Sequence, residues 1–133
     1  MSCRVVIVDD DEDDIEMLCE AFGDNGLKDC YFALSANEAL TYLESITDNA
    51  LLPKVIVTDF MLPGVSGAEL LGKLKQTDRF KQIVVVVLSN YPAEDSLKKS
   101  DAPGADRYYS KPTTYHGFRE MTGQIIRDLL PNT

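Results

Sequence analysis

Ile83-Val84-Val85-Val86-Val87-Leu88 constrains this chain more than any other stretch. An unbroken apolar run rich in β-branched residues cannot alternate between a core face and a wet face. It reads as a strand covered on both sides, the environment of a central strand in a parallel sheet. Parallel neighbours need crossover connections, and helical patterns do separate the other strand-like runs. Arg4-Val5-Val6-Ile7-Val8, Cys30-Tyr31-Phe32-Ala33-Leu34 and Val55-Ile56-Val57-Thr58 read as strands one to three, and Arg107 to Ser110 as a short fifth strand after the run at 83–88.

Between them, Ile15, Leu18, Cys19 and Phe22 recur at helical spacing behind an acid-rich first turn, and Gly23 and Gly26 end that helix. Ser35 with Glu38, and Ser66 with Glu69, are capping boxes. They open a second helix carrying Ala36, Ala39, Leu40 and Leu43 and a third carrying Leu70, Leu71 and Leu74. Pro92 to Ala102 gives a weak, polar fourth helix ended by Pro103-Gly104, and Tyr115, Phe118, Thr122, Ile125 and Leu129 give the fifth. Repeated β-α units with right-handed crossovers place helices on both faces of an α/β, doubly wound parallel sheet.

A length of 133 residues suits one domain with a single core. The net charge of −9, from 22 acids against 13 bases, argues against nucleic acid or an anionic membrane as partner and favours cations or a basic protein face. Cys3, Cys19 and Cys30 are odd in number and lack metal-ligand spacing, which points to reduced thiols in a cytoplasmic protein. No signal peptide and no bilayer-spanning run of roughly 20 apolar residues is expected. The chain reads as one unit over residues 1–133, with no second domain.

In open α/β sheets, ligands gather outside the carboxyl ends of the strands. Strand one ends in Asp9-Asp10-Asp11, strand three in Asp59 before Met61-Leu62-Pro63-Gly64, strand four in Ser89 and strand five in Lys111. Clustered carboxylates suit a hard cation such as Mg2+, lysine neutralises phosphate as a point charge, and a serine hydroxyl can donate to a phosphoryl oxygen. A carboxylate can itself be the nucleophile and form an aspartyl phosphate. Asp59 as a mere turn former fits less well, because matching rims carry Asp9, Asp10 and Lys111. Asp13 and Asp14 read as solvated charges at a helix start, and His116 as a surface residue.

Four stretches now carry a resemblance: Val8-Asp9-Asp10-Asp11, Thr58-Asp59-Phe60-Met61-Leu62-Pro63-Gly64, Leu88-Ser89, and Lys111-Pro112 behind Gly104-Ala105-Asp106. In this order they make the whole chain resemble the response-regulator receiver domain of two-component signal transduction, in its stand-alone, single-domain form. The resemblance implies a flavodoxin-like (βα)5 fold with strand order 2-1-3-4-5. It makes Asp59 the phosphoacceptor for a histidine kinase or histidine phosphotransfer protein. Asp10, Asp59 and the backbone carbonyl of Met61 would coordinate Mg2+ directly, with Mn2+ an alternative, and Asp9 would help through water. Lys111 would pair with the phosphate, Ser89 would move to meet it, and Tyr108 would swing inward with Ser89. The fourth helix, fifth strand and fifth helix would then be the surface read by an unidentified downstream protein, and homodimerisation on phosphorylation stays open.

The resemblance implies a signalling phosphoacceptor and not an enzyme, although Mg2+-dependent self-phosphorylation from small donors and self-dephosphorylation are expected. A phosphotransfer intermediate in a phosphorelay is the alternative. A haloacid-dehalogenase-type phosphohydrolase would need a second acid two residues after Asp59, where this chain has Met61. A flavin carrier would need a phosphate-binding loop after strand one, where this chain is acidic. Asn90 and Tyr91-Pro92 after Ser89 depart from the small residue usual in the family. With the bulky Met61 they suggest slow loss of phosphate from Asp59.

Overall fold

Five parallel strands form one sheet in the computed structural model of the protein, whose described residues are 4–89 and 104–130. They are β1 (Val5–Val8), β2 (Cys30–Ala33), β3 (Val55–Asp59), β4 (Val84–Ser89) and β5 (Arg107–Ser110), in the order β2-β1-β3-β4-β5. The helices among these residues are α1 (Glu12–Asp24), α2 (Ala36–Ser45), α3 (Gly67–Gln76) and α4 (Tyr115–Leu129), with a short 3-10 turn at Asn49–Leu51. The helix expected over 92–102 lies outside the described residues, as do Cys3, Asn90 and Tyr91.

The two-residue period of the strands splits the core into two layers. Val6, Val8, Ile56, Val85 and Val87 point to one face and pack with Ala36, Ala39, Leu43, Leu70 and Leu74 of α2 and α3. Val5, Ile7, Val55, Val57, Val86 and Leu88 point to the other and pack with Ile15, Leu18, Phe22, Phe118 and Ile125 of α1 and α4. Full burial of each Val, Leu, Ile or Phe side chain among them contributes about 1.5–3 kcal/mol, and a one-residue register slip in β1, β3 or β4 would exchange both layers at once.

Some boundaries differ from the sequence reading for identifiable reasons. β3 runs on through Asp59 and β4 through Ser89, because their backbones still pair, Asp59 beside Leu88 and Ser89 beside Ser110. These two polar residues are the last of their strands, which fixes their side chains more firmly than a loop would. Helix α1 passes through Gly23. It closes one turn later, where Leu27 N donates to Phe22 O at 2.9 Å and Gly26 takes the left-handed φ of 94°. At the start of α3, a Cβ on Gly67 would fall 2.3 Å from Asp59 O, so only glycine lets this helix sit directly on the end of β3.

Candidate functional site

Parallel pairing brings the ends of β1, β3, β4 and β5 to one edge of the sheet, and the polar residues of that edge converge. Asp9 follows β1, its N–H donating to Ala33 O at 3.1 Å, and it is 1% exposed. Its Oδ1 accepts from Asp11 N at 2.9 Å, and Asp11 in turn caps α1 by accepting from the backbones of Asp13 and Asp14. Asp59 closes β3 and is 4% exposed, and its Oδ1 accepts from Met61 N at 3.3 Å. Lys111 follows β5, pinned by its N–H donating to Ser89 O at 2.6 Å. Its Nζ donates to Asp14 Oδ2 at 2.8 Å, Asp9 Oδ2 at 2.9 Å and Asp59 Oδ2 at 3.1 Å.

Asp9, Asp10 and Asp59 each offer a carboxylate oxygen, and these atoms lie within 4.8 Å of one another. Hard oxygen donors that close can hold a divalent cation. Asp10 is exposed and borders an open, acidic concavity with Asp11, Glu12 and Asp13. Met61, whose N–H donates to Asp59 Oδ1, is exposed.

Among the described residues, the site is short of positive charge. Burial raises the carboxyls of Asp9 and Asp59 above the ordinary aspartate value, and hydrogen bonds and charge from Lys111 only partly oppose this. One ammonium shared among three carboxylates cannot neutralise them. For Lys111 itself, burial pulls the value down, but hydrogen bonds to Asp14 and Asp9 and the charges of Asp9 and Asp59 reverse this and hold it above the ordinary lysine value. The lysine is therefore charged at neutral pH, and a second cation would find two buried acids waiting.

Every sequence-predicted site residue reaches this edge or its flank. Ser89 is 2% exposed at the end of β4. Tyr108 sits beside Val87 and packs against the α2–α3 layer, while Tyr109 faces the α1–α4 layer, as alternation requires. His116 is exposed and pairs with Glu120 at 3.0 Å. Asp14 is the residue the sequence reading missed, a direct partner of Lys111 and not a solvated helix charge. The signal was available, since helical side chains lean toward the N-terminus, and the N-terminus of α1 opens onto the strand ends. Gly67 was missed too.

A family profile described as the response regulator receiver domain matches residues 5–122. The chain belongs to the receiver-domain family of response regulators. It is similar to the two-component response regulator ARR15 of Arabidopsis thaliana, 30% identical over 70% of this chain and 48% of that protein. It is also similar to the phosphate regulon transcriptional regulatory protein PhoB of Escherichia coli, 31% identical over 98% of this chain and 55% of that protein. The chain spans about half the length of the curated relatives it matches.

Among solved structures, the phosphorylated cyanobacterial phytochrome response regulator RcpA is 25% identical, with a TM-score of 0.82 over 100% of this chain and 97% of that one. The Mn2+-bound form of response regulator Rcp1 shares the fold at 23% identity, with a TM-score of 0.72 over 98% and 96% of the two chains. Among the described residues, no helix is long and apolar enough to cross a membrane.

Proposed function

We propose that residues 1–133 form one receiver domain that works as a phosphorylation-controlled binding switch, with Asp59 as phosphoacceptor. The observation that supports this best is the meeting of Asp9 and Asp59, both buried, on the Nζ of Lys111, with Asp10 beside them. A histidine kinase or histidine phosphotransfer protein presents a phosphohistidine. An Oδ of Asp59 attacks phosphorus, the P–N bond breaks, and the imidazole nitrogen keeps the bonding electron pair.

The donor set suits Mg2+, with Mn2+ as an alternative. Asp10, Asp59 and the Met61 carbonyl are the direct ligands in this reading, and Asp9 contributes through water. Once bound, the ion supplies charge neutralisation at the phosphoryl oxygens. Lys111 supplies the other positive charge, and the Ser89 hydroxyl donates to a phosphoryl oxygen from the neighbouring strand. Movement of Ser89 draws Tyr108 inward, which changes the surface of β5 and α4 offered to a downstream protein. A net charge of −9 favours a partner with a basic face.

Incubation with acetyl phosphate and Mg2+, followed by intact-mass measurement, tests this reading. One added phosphoryl group, absent in Asp59→Ala and absent with a chelator, is the expected result. An unmodified wild-type protein refutes it.

A further inference from the structure

Asp14 lies three residues past the N-cap of α1, and its Oδ2 is the nearest acceptor to Lys111 Nζ, at 2.8 Å against 2.9 Å for Asp9 and 3.1 Å for Asp59. An ammonium has three N–H donors, and here carboxylates take all three. An acid at this helix position commonly reaches back to the N–H of the N-cap residue. In this chain that N–H belongs to Asp11 and donates to Asp9 Oδ1 at 2.9 Å, which leaves Asp14 available to the lysine. The side chains of Asp9 and Asp59 are 1% and 5% exposed, whereas that of Asp14 is 25% exposed. The ammonium is thus held between two buried acids and one at the wet edge.

We propose that Asp14 is a positioning residue that tethers Lys111 from the edge of the site, so that the ammonium can hand one hydrogen bond from Asp59 to an incoming phosphoryl oxygen. The inference rests on the reading of Asp59 as phosphoacceptor. Without the tether, Lys111 has only Asp9 and Asp59 to bond. It then settles more fully on both, with two consequences. Asp59, more completely neutralised, becomes a weaker nucleophile. The ammonium also competes harder with a divalent cation for the same two carboxylates. Asp14 divides the pull of the buried pair while keeping the lysine in the site.

A double-mutant cycle tests the tether: wild type, Asp14→Asn, Lys111→Met and the double variant, with Asp14→Glu as the variant that keeps the carboxylate. The first measurement is Mn2+ affinity of the unphosphorylated proteins by electron paramagnetic resonance. Asp14→Asn is expected to weaken Mn2+ binding roughly tenfold when Lys111 is present, but clearly less beside Lys111→Met, where only the direct attraction of a nearby charge for the ion is lost. Asp14→Glu should recover most of the affinity.

The second measurement is the rate of phosphorylation by acetyl phosphate at saturating Mg2+. It should fall roughly tenfold in Asp14→Asn, a coupling of ordinary size for residues in one ion-pair network. Equal effects of Asp14→Asn in both backgrounds, or none in either, overturn the inference. If the wild type accepts no phosphoryl group, the phosphoacceptor reading fails instead, and the Mn2+ cycle still decides whether Asp14 acts through Lys111.

Discussion

Gly67→Ala sets helix propensity against the packing that places Asp59. A Cβ at residue 67 would stand 2.3 Å from Asp59 O, 2.9 Å from Phe60 Cα and 3.2 Å from Asp59 C. Ordinary contact begins near 3.4 Å, so α3 and the end of β3 must separate by 3.4 less 2.3, roughly 1 Å. Every one of these neighbours is backbone, and no side-chain rotation relieves the clash. Overpacking of this kind costs about 1–3 kcal/mol. The Gly67 N–H bond to Phe60 O, 3.0 Å long, is stretched as well, a further loss of about 1 kcal/mol. Alanine returns at most ~1 kcal/mol of helix propensity, and less at the first position of a helix.

The net expectation for Gly67→Ala is a loss of about 2 kcal/mol, a fall in Tm of about 6–8 °C for a chain of this size. Thermal melts with a chelator measure it. A displacement of that size also exceeds the roughly 0.5 Å within which a binding constellation must be held. Added Mg2+ should therefore raise the Tm of the variant by clearly less than that of the wild type. A variant as stable as wild type, with an undiminished Mg2+ response, refutes this account of how β3 and α3 hold Asp59.

Two further expectations concern the charge of the site and a third its access to water. Mg2+ should stabilise the wild type by linkage, by about 2.7 kcal/mol at a hundredfold excess over Kd, while Asp10→Asn should melt higher without metal and gain nothing from it; equal Mg2+ shifts in both proteins would contradict the assigned ligands. Asp9 has its carboxyl raised by burial, so it holds its proton more tightly folded than unfolded, and it favours the folded state in acid and less so as pH rises through its folded value. Metal-free wild type should accordingly lose stability relative to Asp9→Asn as pH climbs from about 4 to 7, and a constant difference across that window would contradict the sign. Met61, two residues after Asp59, is bulky and 57% exposed; if its side chain restricts water at the acceptor, phosphate release from the isolated phosphoprotein should be slow, and a half-life of seconds would count against that role.

Much of this architecture was legible in the sequence because it rests on local signals. The uninterrupted apolar run at 83–88 specified a central parallel strand, and the pairs Ser35–Glu38 and Ser66–Glu69 located two helix starts that the cap hydrogen bonds reproduce. The residues at the strand ends could be collected as one site because parallel strands expose all their carboxyl ends at one edge. The strand order was carried over from the family resemblance, since periodicity alone does not say which strand lies beside which. What escaped detection depends on tertiary geometry that neither periodicity nor cap signals encode. Asp14 and Lys111 are 97 residues apart, and their meeting depends on how α1 is rotated about its axis. Gly67 is needed because α3 crosses close over the backbone of residues 59 and 60, an approach no local pattern announces.

In the proposed switch the carboxylate of Asp59 becomes covalently phosphorylated. Borohydride reduction of the protein after reaction with acetyl phosphate and Mg2+, followed by peptide sequencing, reads it directly, because an aspartyl phosphate is reduced to homoserine. Homoserine at position 59, and at none of the other acids of the site, is the expected result. Homoserine at Asp9, Asp10 or Asp14, or none at all in a folded protein that binds Mg2+, would contradict the account.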